Sequence, residues 1–146
     1  MGSSKPRYFN NPDELADFVI EQMGMNINVG MVLGLGKPNH IANSLFKKAC
    51  ENPALNLKIL TAISLEKPSW SSELERRFMQ PLVERVWEGY VDLDYITAVR
   101  KNAVPANVTV SEFFYKAGGF LSNADMQQQY TSTNYTHACR DLKANG

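Results

Sequence analysis

Asn28-Val-Gly-Met-Val-Leu-Gly-Leu-Gly-Lys-Pro-Asn39 is the stretch on which the fold turns. The apolar run from Val29 to Leu33 reads as a buried strand. Gly34 and Gly36 then permit a tight turn, and Ile41, Ala42, Leu45, Phe46 and Ala49 mark one side of a helix. Asn52-Pro53 stops that helix, and Leu57 to Ile63, rich in β-branched and apolar residues, reads as a second strand. Strand, helix and strand at this length form a βαβ unit, which requires parallel pairing and a right-handed crossover. The expected class is therefore α/β, with an open, mainly parallel sheet flanked by helices.

Working outward, Pro12 and Asp13 open a helix with Leu15, Phe18, Val19 and Met23 on one face, and Gly24 closes it. Ser72-Glu-Leu-Glu75 has the capping-box spacing. Beyond it Leu74, Phe78, Leu82, Val86 and Tyr90 recur every four residues. Pro81 falls within that pattern and predicts either one bent helix or two short ones. Asp92 to Asn102 reads as a short helix with Tyr95, Ile96 and Val99 inward, and Val108 to Val110 as a third strand. Ser111 to Tyr115 is expected to start a helix that Gly118-Gly119 ends, Asn123 to cap another, and Tyr130 to Thr133 to form a fourth strand. A last helix is expected over Thr136 to Ala144. In an alternating α/β protein a parallel strand comes next, so residues 1–146 read as a single α/β domain forming the N-terminal part of something longer.

Composition narrows the function classes. Of 146 residues 44% are hydrophobic and 21% charged, which suits one globular domain with a sizeable core. Fifteen basic and fifteen acidic residues cancel, so no global field draws the chain to nucleic acid or to an anionic membrane. No apolar run exceeds three residues, as in Met31 to Leu33, which is far short of a membrane span, and the expected setting is cytoplasmic. Cys50 and Cys139 fit neither a disulfide framework nor a metal-ligand spacing, and no metal is expected.

A strand running through glycines into a helix presents free N–H groups and a favourable dipole to an anion. The turn nonetheless fits no nucleotide motif. A dinucleotide fingerprint wants a third glycine where Asn39 stands, and a P-loop wants Ser or Thr where Pro38 stands. What remains is an anion or carbonyl cradle, or a tight turn that simply needs small residues. Ser64 follows the second strand, at the carboxyl edge where parallel sheets bind ligands, so it reads either as a substrate contact or as a serine bonded to its own backbone. Glu66 is a conceivable acid or base, or a solvated loop carboxylate. His40 and His137 lie in no catalytic or metal-ligand arrangement. Trp70, Trp87, Phe113, Phe114 and Tyr115 are not interleaved with basic residues and read as core or interface packing.

Taken together, Gly34-Leu-Gly-Lys-Pro-Asn39, Ala62-Ile-Ser-Leu-Glu66, Arg76-Arg-Phe-Met-Gln-Pro81, Val110-Ser-Glu-Phe-Phe114 and Asn134-Tyr-Thr-His137 resemble the N-terminal half of the acetyl-CoA hydrolase/transferase family, a branch of the CoA-transferases. The similarity runs from about Val29 to the end. It implies two related open α/β domains that meet at the active site, and transfer of CoA between carboxylic acids through a glutamyl-CoA thioester, or release of the acyl group to water. Acetyl-CoA hydrolysis and acetate, succinate or 4-hydroxybutyrate CoA-transfer are the activities implied, with the coenzyme A thioester as substrate and no bound cofactor. The nucleophilic glutamate of the family lies in the C-terminal domain, and nothing here matches its surroundings. No catalytic residue is therefore expected in this chain, and Glu112 belongs to an N-terminal motif.

By the same resemblance Gly34, Gly36, Lys37, Pro38, Asn39, Ser64, Asn134, Tyr135 and Thr136 are expected to line the acyl or carboxylate side of the cleft. The expected partners are an acyl-CoA, a small carboxylate, the missing C-terminal domain and, as an option, a second copy of the chain. The alternative from another class is a stand-alone, non-catalytic acyl-CoA or small-acid binding domain.

Overall fold

The computed structural model describes residues 5–145. Three strands, β1 (Asn26–Gly30), β2 (Asn56–Thr61) and β3 (Val108–Glu112), form one parallel sheet in the order β1-β2-β3. Among the described residues six α-helices and one 3-10 turn (Gly34–Gly36) accompany them: α1 (Pro12–Met23), α2 (Asn39–Glu51), α3 (Glu73–Val86), α4 (Asp94–Arg100), α5 (Ala124–Gln128) and α6 (Tyr135–Asn145). The expected α/β class, a parallel sheet flanked by helices, is what the chain forms. Among the described residues no helix is long and apolar enough to cross a membrane.

Local chemistry explains most of the boundaries. The Asn11 side chain accepts from Asp13 N at 2.9 Å and starts α1, while Gly24, at φ +78°, ends it in a conformation that side chains disfavour. Ser72 caps α3 by accepting from Glu75 N at 3.2 Å, and the Glu75 carboxylate returns to the Ser71 N–H at 2.7 Å and hydroxyl at 2.8 Å. Pro81 does not divide this segment, because a single helix runs from Glu73 to Val86 around it. α2 is the hub of the packing, since it meets β2, α1 and α4. Leu45, Phe46 and Ala49 of α2 join Ile27, Leu57, Ile59, Ile96, Val99 and Val110 in one core.

Three expectations need correction. β1 begins at Asn26 and leaves the sheet after Gly30, not Leu33. Met31 N still reaches Leu60 O at 2.9 Å, but Val32 and Leu33 are exposed, so this apolar run belongs to a loop above an edge strand. No helix starts at Ser111. β3 continues through Glu112, and Phe113 N to Thr61 O and Ile63 N to Phe114 O, both at 3.1 Å, extend the pairing with β2. Cross-strand hydrogen bonds and aromatic strand preference outweigh the helix-start pattern there. Residues 130–133 form no strand, and Thr131 N makes a single bond to Glu112 O at 3.2 Å in place of a ladder.

Candidate site at the carboxyl ends of the strands

The glycine turn is built for close approach. Gly34 sits at φ +62° with its N–H on Ile63 O at 3.2 Å, and a Cβ on Gly36 would lie 3.2 Å from Val32 Cγ2. Lys37 then folds back beneath the turn and is only 6% exposed. Its Nζ donates to Val32 O at 2.8 Å, Thr61 Oγ1 at 2.6 Å and Ala62 O at 2.5 Å, so all three ammonium protons are used by the protein. Lys37 is thus a bolt between the ends of β1 and β2. Burial lowers its pKa to about 8, opposed by the negative field of Glu112.

On the outer side of the turn, Lys37, Pro38 and Asn39 line a cavity of about 430 Å³ with Phe9, Tyr90 and Val91. Asn39 Nδ2 donates to Val91 O at 2.6 Å, while its buried Oδ1 has no hydrogen-bond partner among the described residues. α2 starts behind Pro38 without a side-chain cap, which leaves its first turn to the backbone.

The second group surrounds Ser64. Ile63, a β-branched residue at φ +43°, redirects the chain at the end of β2 and is the strained point of this edge. Ser64 N donates to Glu112 Oε1 at 3.1 Å, and the Ser64 hydroxyl donates to the same oxygen. The hydroxyl also meets Tyr95 Oη at 2.8 Å. Glu112 ends β3 opposite Thr61 in the parallel register and is 1% exposed. Burial pushes its carboxyl above the usual carboxylate range, against the opposing pull of Ser64, Lys37 and Arg100. Burial also raises the Tyr95 phenol, so it stays a neutral hydrogen-bonding group.

Ser64 and Glu112 open onto a cavity of about 660 Å³ whose wall includes Glu66, Lys67, Arg100, Lys116 and Phe120. Glu66 is held by Arg100, with Nη2 to Oε2 at 2.7 Å, and the Arg100 guanidinium stacks 4.1 Å over the Phe120 ring. The site edge therefore joins Gly34, Lys37 and Ser64 from the expected set with Thr61, Tyr95 and Glu112, which sequence reasoning did not place there. The available signal was positional. Thr61 ends an apolar strand, and Glu112 follows the alternating Val108 and Val110, so each polar side chain stands at a carboxyl edge.

The last expected group lies elsewhere in the bonding pattern. Asn134 starts α6, its Oδ1 accepting from His137 N at 3.1 Å, and Thr136 is exposed. The Tyr135 side chain is outside the described residues. Among the described residues no group of three His, Cys, Asp or Glu side chains is placed to hold a metal ion. Compared with protein-family models, curated proteins and solved structures, the chain has no match.

Proposed function

We propose that this chain forms one half of an acyl-CoA transferase or hydrolase cleft in the cytoplasm, as its resemblance to the acetyl-CoA hydrolase/transferase family implies. The observation that carries this reading is a cavity of about 660 Å³ at the carboxyl ends of parallel strands, walled by Ser64, Glu112, Lys116 and Arg100. An exposed apolar stripe begins at its mouth. Pro68 and Ser69 line both this cavity and a neighbouring one formed with Leu74 and Phe78 of α3. Leu74 and Phe78 are 79% and 83% exposed, and Leu82 and Val86 continue the stripe. An apolar face of this kind needs cover. A second domain seated on α3 would supply that cover, close the cleft and bring the nucleophilic glutamate.

In that arrangement the second domain's glutamate attacks the thioester carbonyl, and the oxyanion that develops calls for fixed donors. Acetate, succinate and 4-hydroxybutyrate are the acceptors that the resemblance implies. Trapping of the covalent intermediate tests the reading. Extract from the source organism is incubated with acetyl-CoA, and the polypeptide containing this sequence is isolated by mass. The expected result is a polypeptide well above 16.4 kDa that carries CoA on a glutamate outside residues 1–146. Turnover of acetyl-CoA by the 146-residue chain alone, lost on Glu112→Gln, would overturn it. Micromolar CoA binding by a stable monomer without any turnover would instead establish the stand-alone binding domain.

A further inference from the structure

Glu112 lines the cavity with only one of its two carboxyl oxygens hydrogen-bonded among the described residues. Its Oε1 is taken by Ser64 through both the N–H and the hydroxyl. Its Oε2 has no hydrogen-bond partner among the described residues, and Glu112 is one of the residues that line the 660 Å³ cavity. No cation reaches this carboxyl within ion-pair distance among the described residues. A carboxyl group so placed, largely dehydrated and bonded on one oxygen only, has one unmet need at its second oxygen: a proton shared with an incoming acceptor.

The wall selects what that acceptor is. Lys116 carries no ion pair among the described residues, while Arg100 is tied to Glu66 and Lys67 to Asp92 at 3.7 Å. A cationic rim draws an anion inward, but two carboxylates in contact repel unless one proton lies between them. We propose that Glu112 recognises the carboxyl group of a small organic acid by sharing one proton with it, so that acid and proton bind together at the ends of β2 and β3. This rests on the reading of the cavity as a carboxylate site. It adds the residue that recognises the acid and the proton that accompanies it. The balance is simple: an ionised acid, an ionised Glu112 and one solvent proton give one O–H···O pair carrying a single negative charge.

The groups facing Glu112 are Lys37 from the turn before α2, Ser64 from the end of β2, Tyr95 and Arg100 from α4, and Tyr115 after β3. Glu66, Lys67 and Lys116 complete the wall. Burial holds both Tyr95 and Tyr115 protonated through the neutral range, the latter with a pKa of about 12. Lys37 titrates near pH 8, so a window below that isolates Glu112.

Acetate is the probe. It is titrated into the purified 146-residue chain between pH 5.5 and 7.5, with sodium chloride at equal ionic strength as the control. Backbone amide NMR shifts report location, and calorimetry in two buffers of different ionisation enthalpy reports protons. The expected result is acetate-specific shifts at Ile63, Ser64 and Lys116 and proton uptake that grows as pH rises from 5.5 to 7.5. Affinity should fall about tenfold per pH unit once free Glu112 is ionised. Glu112→Gln should bind acetate with no pH dependence. Acetate shifts at Ser64 with no proton uptake would overturn the role of Glu112 and leave the carboxylate reading standing. No shift beyond that of chloride would overturn the site itself, whereas the CoA-transfer reading fails only in the trapping experiment. If Glu112→Gln does not fold, the proton count on the unmodified chain still decides.

Discussion

α2 and α3 are nearly equal in length, 13 and 14 residues, and each carries apolar residues along one face, yet they meet opposite fates. α2 buries Asn39, Ala42, Ser44, Leu45, Phe46 and Ala49 against β2, α1 and α4, while α3 buries no residue at all. α3 is held by its own local bonds instead. Arg76 pairs with Glu73 at 2.7 Å and with Gln80 at 2.5 Å, and Gln80 donates to Glu84 at 2.6 Å. Amphipathic periodicity specifies a helix with a sticky face, but what that face meets is a property of the rest of the assembly.

The largest effect that separates the two helices comes from truncating their aromatic residues. Phe46→Ala on α2 should cost about 3–5 kcal/mol of unfolding free energy in urea, since it empties a filled core position. The comparison would break if that loss were small. Next is the turn that feeds α2. Lys37 has a pKa of about 8 in the fold against an ordinary 10.5, so between those values the unfolded chain binds more protons. Stability therefore rises as pH climbs from about 8 to 10.5, by up to about 3 kcal/mol relative to Lys37→Met, measured as a difference between the two denaturation curves.

The helix caps give a smaller contrast. Asn123 accepts from Met126 N at 2.9 Å and donates to Val99 O at 2.8 Å, and is itself buried, so Asn123→Ala should cost about 1–3 kcal/mol. Ser72→Ala removes a cap of the same kind from α3 and should fray that helix in hydrogen exchange with little change in global stability. The smallest effect is expected from Phe78→Ser, within about 0.5 kcal/mol, because the ring has no buried contact to lose. A loss above 2 kcal/mol for Phe78→Ser would mean that α3 is covered in solution.

How legible the chain was depended on whether a feature is local. Gly24, Ser72 and Asn123 act within one turn of themselves, and the expected helices begin or end at them. Features that depend on partners were harder to read. The Val-Leu run at 32–33 resembles a strand because an edge strand and a buried strand differ only in their neighbours. Ser111 to Tyr115 resembles a helix start until β2 lies alongside with open hydrogen-bonding groups. The site divides in the same way. Gly34 and Ser64 were visible because a glycine turn and a strand end mark the sequence, whereas Lys37 read as a ligand contact and is a buried bolt. Glu112 and Tyr95 lie 48 and 31 residues from Ser64, and no spacing rule joins them.

By itself the sequence determined the α/β class, the βαβ order and the glycine turn, since periodicity and backbone permission act over a few residues and need no partner. Only the tertiary structure decided that Lys37 faces inward, that Glu112 closes on Ser64, and that the α3 stripe is bare. Those outcomes depend on which strand ends are brought side by side, because the cost of burying a charge or exposing an apolar face is set by neighbours distant in the chain.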